Sequence, residues 1–435
     1  MRSVWDGSSR CSDRAYVATV GSVTDTSQNS QQQSASRPQL IRRLAGAQEA
    51  GLLLVIMLMG TLLAVLGGTK QKQFRIDISS EAKVVEFYAD TSEGTPGDRP
   101  LPQVSGWRVT ENDNTITYDR GEGFSYNAGQ HAFFGKTVVN KFLDKENLVL
   151  VAKDASFIAI MAVGMTAVII LAGIDLSVGS IYGLSALFGA MALNGWLDPG
   201  TSALLSIPVG VGICCFVGAL CGAANGIMIV GLRVHPFVIT LGTMAAYRGV
   251  IFVVSKGQSV GQFPSSFTSG FFKAEIAGVY PVPVIVMLLV GAVGVFLLAK
   301  TVVGRQVYAI GGNETAAKYA GIPVGRVKFV VYTLLGLLAG LSAAVYLGYL
   351  GAAEPNAGMT YELKVIAATV IGGASLMGGR GSALGAVLGA IVIQLIDNGM
   401  IILGVDQSYN QIVMGVAIII AVVIDQAKTR FAPKG

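Results

Sequence analysis

The stretch Gly304-Arg-Gln-Val-Tyr-Ala-Ile-Gly-Gly-Asn-Glu-Thr-Ala-Ala-Lys-Tyr-Ala-Gly-Ile-Pro-Val-Gly-Arg326 is a polar island between two long apolar runs. Its middle reads as a very short helix with both ends marked. Asn313 suits an N-cap, and Glu314 puts a negative charge in the first turn. Lys318 stands near the far end, Gly321 suits a left-handed C-terminal residue, and Pro323 stops continuation. Two turns of helix are not stable alone in water, so something must hold them. The small face of Ala316, Ala317 and Ala320 permits close approach by a partner. A capped connector between membrane helices is the competing reading.

The runs on either side set the class. Of the 435 residues, 52% are hydrophobic and 13% charged, and mean hydropathy is +0.60. A soluble domain carries roughly 25% charged residues. Long uncharged runs therefore predict a polytopic all-α membrane protein. The 56 glycines lie mostly in those runs, where small residues let helices pack closely. The net charge of +5 is spread over loops and ends, which fits orientation in a lipid membrane and argues against nucleic acid as a partner. Three of the four cysteines (Cys214, Cys215, Cys221) share one apolar run, leaving Cys11 apart, so no disulfide framework or zinc site is expected.

In chain order, 1–45 reads as a disordered cytoplasmic tail and 46–69 as the first transmembrane helix. Residues 70–147 read as an extracytoplasmic insert, β-rich at Lys83–Tyr88 and Asn114–Tyr118. Residues 148–427 form the helical membrane domain, with a cytoplasmic loop at 300–328, and 428–435 a cytoplasmic tail. Spans are predicted at 155–173, 177–196, 203–230, 236–255, 280–299, 327–350, 362–376, 381–403 and 408–426. With the first helix that makes about ten by the length of an apolar span. An even count puts both termini in the cytoplasm and the Lys- and Arg-bearing short loops with them. A weak echo pairs Gly179-Ser180-x-x-Gly183 with Gly381-Ser382-x-x-Gly385, each at the opening of a Gly-rich helix.

No phosphate-binding Gly-x-x-x-x-Gly-Lys-Ser/Thr occurs, and His131 and His235 stand far apart, so neither a P-loop nor a metal or triad site is expected. Charged and amide residues inside apolar runs are the informative ones. Asp175, in Leu171-Ala-Gly-Ile-Asp-Leu-Ser-Val-Gly-Ser180, suggests a helix break lining a cavity, a polar lock between spans, or an interfacial turn. Arg248 faces either a polar pathway or the interface. Asn225, Gln394, Asp397 and Asn398 suit polyol binding and serve equally as interhelical glue. Tyr182, Tyr332, Tyr346 and Tyr349 read as interfacial anchors. The scarcity of paired acids argues against a proton relay.

Four stretches carry a resemblance: Ala162–Ser180, Pro236–Gly249, Gly304–Arg326 and Ile371-Gly-Gly-Ala-Ser-Leu-Met-Gly-Gly-Arg-Gly-Ser382. Together they cover about 145–425. The chain resembles the permease subunits of bacterial simple-sugar ABC importers, the ribose/xylose/galactoside group. The resemblance implies an ABC importer permease fold in the bacterial inner membrane, moving a monosaccharide inward. It implies an ABC ATPase subunit that holds ATP and Mg, a periplasmic sugar-binding protein and a second permease subunit, with a homodimer favoured. It implies no cofactor, metal or catalytic residue in this chain. The loop carries over as the ATPase-coupling element, at Gly312, Asn313, Glu314, Ala317 and Gly321. Phe142-Leu-Asp-Lys-Glu-Asn147 fits the family's loop before the second helix, and 70–135 is extra. Competing readings are a related permease for branched-chain amino acids or nucleosides, an ATP-independent carrier, or a receptor reading the outside through the insert.

Overall fold

The structure, a computed structural model, describes residues 37–77, 108–112, 115–119, 124–127, 132–276 and 279–431. Among them, eight helices are long and apolar enough to cross a membrane: α1 (Arg37–Leu66), α2 (Lys145–Ile170), α3 (Val178–Trp196), α4 (Ala203–Leu232), α5 (Pro236–Ser255), α6 (Pro281–Lys300), α9 (Val324–Leu350) and α11 (Ala383–Ile402). Shorter α7 (Val302–Gly312), α8 (Glu314–Tyr319) and α10 (Tyr361–Ile371) lie among them, and α12 (Asn410–Phe431) ends the described chain. Helices α2, α3, α9 and α11 are mostly buried, whereas α1, α4, α5 and α6 turn most of their surface outward. That outer surface carries Leu54, Phe216, Val253 and Leu288. A continuous apolar exterior of this kind needs lipid as its solvent. The chain is a multi-pass membrane protein.

The expected count of about ten spans differs from these eight at two places. Residues 362–376 were expected to span, but α10 has only 11 residues, about 16 Å of rise against the ~30 Å of a hydrocarbon core. It starts after Thr360 at φ +66° and ends at Gly372–Gly373, with Gly373 at φ +95°. The apolar run Val365–Ile371 hid how short the helix is. Helix α12 is apolar over Asn410–Ile420. The first candidate span, Glu49–Leu66, falls within the expected 46–69 and is part of a helix that starts at Arg37. The expected tail to residue 36 lies outside the described residues, as does the strand expected at Lys83–Tyr88. The expected helix-opening echo is not matched in geometry. Ser382 caps α11 by accepting from the Gly385 amide, whereas Gly179 and Ser180 sit inside the first turn of α3.

The insert contains a five-stranded antiparallel sheet in the order β1-β5-β4-β3-β2: β1 (Thr69–Asp77), β2 (Arg108–Asn112), β3 (Thr115–Asp119), β4 (Phe124–Asn127) and β5 (Ala132–Asn140). β1 and β5 pair from Thr69↔Asn140 to Asp77↔Ala132, so the sheet continues directly from α1 and returns to α2. Its root is fixed by polar contacts. Asn140 Nδ2 donates to the Ala64 carbonyl (2.7 Å), and its Oδ1 accepts from the amides of Phe142 (2.9 Å) and Leu143 (3.0 Å). Asp144 is bridged by Lys70 (2.7 Å) and Lys72 (2.9 Å). Asn147 donates to the Phe142 carbonyl (3.0 Å) and exchanges amide hydrogen bonds with Asn398. The spacing Phe142-x-x-x-x-Asn147 thus ties the start of α2 to α11.

Hydrogen bonds from Lys70 and then Lys72 hold the Asp144 carboxyl below its ordinary value of 3.8. A depressed carboxyl contributes stability above that ordinary value and loses it as pH falls through the folded value. Protection of the β1 amides from hydrogen exchange is therefore expected to be flat through neutral pH and to fall only below pH 3.8. Asp144→Asn should remove that acid step and loosen the root by about 1 kcal/mol or less, since both lysines are partly solvated. An unaltered acid profile in the variant would refute this role.

Candidate functional site

Helix α7 is capped by Thr301, whose Oγ1 accepts from the Gly304 amide (3.1 Å). Asn313 ends α7 and starts α8, its Oδ1 accepting from the Ala316 amide (2.9 Å). Glu314 lies between Lys318 and Lys328, 2.8 Å from each ammonium. The hydrogen bond from Lys318, and then that from Lys328, pulls its carboxyl below the usual glutamate range. Gly321 takes φ +79°, and the amides of Gly321 and Ile322 close on the carbonyls of Lys318 and Ala317. The two-turn helix read from the sequence is thus held by caps and by an ion-paired triad within the chain. Ala317 is buried and joins the apolar cluster of Ile310 and Val324. Gly312, Ala316 and Ala320 are exposed, and Tyr319 is 89% exposed. Tyr319 went unnoticed in the sequence, although a lone aromatic in a polar loop was the available signal.

Inward from α8, the chain is fastened to two other segments. The Gly379 amide donates to the Ile170 carbonyl at the end of α2 (2.9 Å), and Tyr308 of α7 donates to the Gly381 carbonyl (2.7 Å). Gly311 lies so close that a β-carbon there would collide with the Ile170 carbonyl. Helix α7 therefore rests on both the end of α2 and the turn 372–382.

Each of those segments leads to a break at membrane depth. Residues 171–177 do not continue α2; they turn back into the protein before α3 starts. Asp175 Oδ1 accepts from the Ser177 amide (2.7 Å) and hydroxyl (2.6 Å). Asn225 Nδ2 donates to Ser177 Oγ (2.8 Å) and reaches Asp175 Oδ2 (3.3 Å). Thr240 Oγ1 accepts from the Leu176 amide (3.2 Å) and donates to the Ile174 carbonyl (3.3 Å). Asp175, Ser177, Asn225 and Thr240 are all fully buried. Asn225 lies about 10 Å of helix rise from the α4 end at Leu232. This is a polar lock that closes the break, with Asn225 Oδ1 and Tyr332 Oη unpartnered and suited to water.

The second break is 351–360, which comes back from the sheet end to meet the first. Gly358, at φ +72°, packs backbone to backbone on Gly179 of α3. Arg248 Nη1 donates to the carbonyls of Ala357 (2.8 Å) and Pro355 (3.3 Å). Arg248 is about 18 Å of rise along α5 from Pro236, near the middle of a bilayer. Glu362, in the first turn of α10, lies over Gly179. Both charged groups are half-buried. Behind them stand Tyr182, Tyr346 and Tyr361, with ring centroids 5.4 Å apart in each of the pairs Tyr182–Tyr346 and Tyr182–Tyr361. Tyr182, Tyr332 and Tyr346 are buried, so the sequence reading of these three as interfacial anchors is corrected.

The remaining expected residues form a third group, on α11. Asp397 accepts from Lys364 (2.6 Å) and Asn410 (3.1 Å), Asn398 pairs with Asn147, and Gln394 is buried one turn earlier. The six polar candidates are thus three clusters rather than one site. Sequence reading missed Lys364 and Glu362, although Tyr361-Glu-Leu-Lys364 puts two charges inside an apolar stretch.

Residues 147–422 match a family model described as branched-chain amino acid transport system / permease component. The D-allose transport system permease protein AlsC of Escherichia coli is 40% identical over 295 residues, 68% of this chain and 88% of that protein. The ribose import permease protein RbsC of Bacillus subtilis is 41% identical over 290 residues, 66% of this chain and 87% of that protein. The autoinducer 2 import system permease protein LsrC of an Enterobacter species is 34% identical over 305 residues, 69% of this chain and 86% of that protein. No solved structure matches the chain. The matched region starts at Asn147 and takes in both breaks, the α7–α8 loop and α11, and over it the chain belongs to this family of transport-system permease components.

Proposed function

We propose that the chain is the membrane-spanning subunit of an ATP-driven importer that carries a monosaccharide into the cytoplasm across the bacterial inner membrane. Both termini and α8 face the cytoplasm, and the sheet stands on the outer side. A partner ATPase holding ATP and Mg docks on α8, and an external sugar-binding protein delivers the substrate. The observation that carries this reading is the seating of α7 on both the Ile170 end, through the close approach of Gly311, and the 372–382 turn, through the Tyr308 hydrogen bond. A pull on α8 then reaches both broken segments at once, as rigid-body switching requires.

The substrate path in this reading runs along Arg248, Glu362 and the 351–360 backbone. Half-exposed charges and irregular backbone at mid-membrane are very costly against hydrocarbon. Water or the same face of a second copy must cover them, so one chain supplies half a path. Discontinuous helices meeting near the midplane are where transporters bind their cargo. The monosaccharide assignment draws on the sugar permeases among the relatives; the family description keeps branched-chain amino acids as the competitor.

The test is uptake into proteoliposomes holding the chain with its ATPase and binding protein, offered ribose, allose and leucine. Sugar uptake that requires ATP is expected. Leucine uptake, or sugar uptake without ATP, would overturn the proposal. Arg248→Met leaves the Pro355 and Ala357 carbonyls without their charged donor, a loss of about 2 kcal/mol. Uptake is expected to fall about tenfold or more, with ATPase co-purification retained. Undiminished uptake would remove Arg248 from the path.

A further inference from the structure

A second feature lies on another side of the molecule, and it is apolar throughout. Between helices α6 and α9 lies a groove of about 440 Å³ that reaches α7. One wall is the α6 stripe Leu289, Val293 and Leu297, and the other is Val330, Leu334 and Leu338 of α9. Val163, Gly164 and Ala167 of α2 form the floor, and Val303, Gly304 and Val307 of α7 close the end. Leu289, Val293, Val303 and Val330 are substantially exposed, so the groove opens outward rather than into the protein. From Leu289 to Leu298 it follows α6 for about 13 Å. That is the depth of one leaflet of a ~30 Å hydrocarbon core.

The chemistry at its closed end is different. Thr301 and Gly304 line the groove, and the residues beside them, Lys300 and Arg305, are exposed cations. A leaflet-deep apolar slot with two cations at its polar end complements an anionic lipid: hydrocarbon in the slot, phosphate at the rim. Protein interiors do not keep large voids, and a slot open to hydrocarbon fills with it.

We infer that this groove seats one acyl chain of an anionic phospholipid from the leaflet on the α8 side, with its phosphate held by Lys300 and Arg305. The seated chain wedges α7 between α6 and α9. Because α7 leads directly into α8, the lipid braces the loop proposed to receive the ATPase. The binding itself stands whether or not the transport reading does.

The test is native mass spectrometry of the purified full chain in mild detergent with equimolar phosphatidylglycerol and phosphatidylethanolamine. The wild-type chain is expected to retain one phosphatidylglycerol, about tenfold in preference to the neutral-headgroup lipid. Ala167→Leu fills the floor and Val330→Trp fills the mouth; each should abolish that retention. Val330 is 47% exposed, so its variant keeps the test alive should Ala167→Leu fail to fold, as thermal melting would reveal. The double variant Lys300→Gln/Arg305→Gln should still hold a lipid but lose the headgroup preference. Retention of phosphatidylglycerol by a folded Val330→Trp chain would overturn the inference. So would an absence of headgroup preference in the wild type, or loss of dimer rather than lipid on filling, which would mark the groove as a seat for a second copy.

Discussion

Tyr319→Ala is expected to cut ATP-driven uptake at least about tenfold while leaving membrane insertion and thermal melting unchanged. The ring is 89% exposed at the end of α8, so its removal disturbs no packing within the chain. Gly312, Ala316 and Ala320 are exposed on the same short segment. An exposed aromatic is the anchor type that dominates interface energies, at about 2 kcal/mol or more each. Every 1.4 kcal/mol is about a factor of ten in binding. The measurement pairs uptake with the yield of ATPase that co-purifies, and both should fall together. Normal uptake with Tyr319→Ala would show that α8 does not receive the partner through this surface. Glu314→Lys is a different intervention, because Glu314 holds both Lys318 and Lys328. Its reversal sets three cations together and unpins the loop from within. Enlarging Ala317 does likewise, since that side chain is buried. Only Tyr319 separates docking from loop integrity.

The caps of α8 were legible because capping is local chemistry. Asn313, Glu314 and Gly321 announce their conformations within one turn, and the structure has each of them doing so. The span boundaries of most helices were legible from apolar length. What local chemistry could not reveal is where a chain stops crossing and turns back. Residues 351–371 are half irregular and half helical; Glu354-Pro355-Asn356 marks the loop, but only Glu362 and Lys364 hint that the helix after it is short. Asp397, the partner of Lys364, and Arg248, which donates to the Pro355 and Ala357 carbonyls, come from other helices, and pairing of this kind is a property of the assembled bundle. The same is true of Asp175. Its turn residues were visible, but the closure by Asn225 and Thr240 from two other helices was not. Burial of Tyr182, Tyr332 and Tyr346 was hidden for a related reason: tyrosine is as much at home at a bilayer interface as in a core.

One long-range contact was written plainly in the sequence. Gly218, Gly222 and Gly226 recur every four residues on α4, and Gly336 and Gly340 do so on α9. Spacing of this kind lines one helix face with bare backbone and lets two helices touch. Here the two faces meet. A β-carbon at Gly336 would collide with the Gly218 carbonyl and come within 2.9 Å of the Gly222 Cα. One at Gly340 would collide with the Cys214 carbonyl, and one at Gly226 would lie 3.1 Å from the Phe329 Cα. Backbone cannot step aside as a side chain can. Gly336→Leu is therefore expected to force the helices apart and destabilise the fold by about 3 kcal/mol, the upper end of overpacking. The gain in helix propensity over glycine, about 1 kcal/mol, offsets only part of this. The damage would spread, because Tyr332 sits beside the Asp175 lock and Ser342 of α9 donates to the Phe157 carbonyl of α2 (2.8 Å). The expected result is a lower melting midpoint and a smaller monodisperse fraction in detergent. Gly231→Leu on α4 has nothing within 4 Å of the added carbon and should melt as the wild type does. If Gly336→Leu and Gly231→Leu melted alike, the close crossing of α4 and α9 would not be what holds this bundle together.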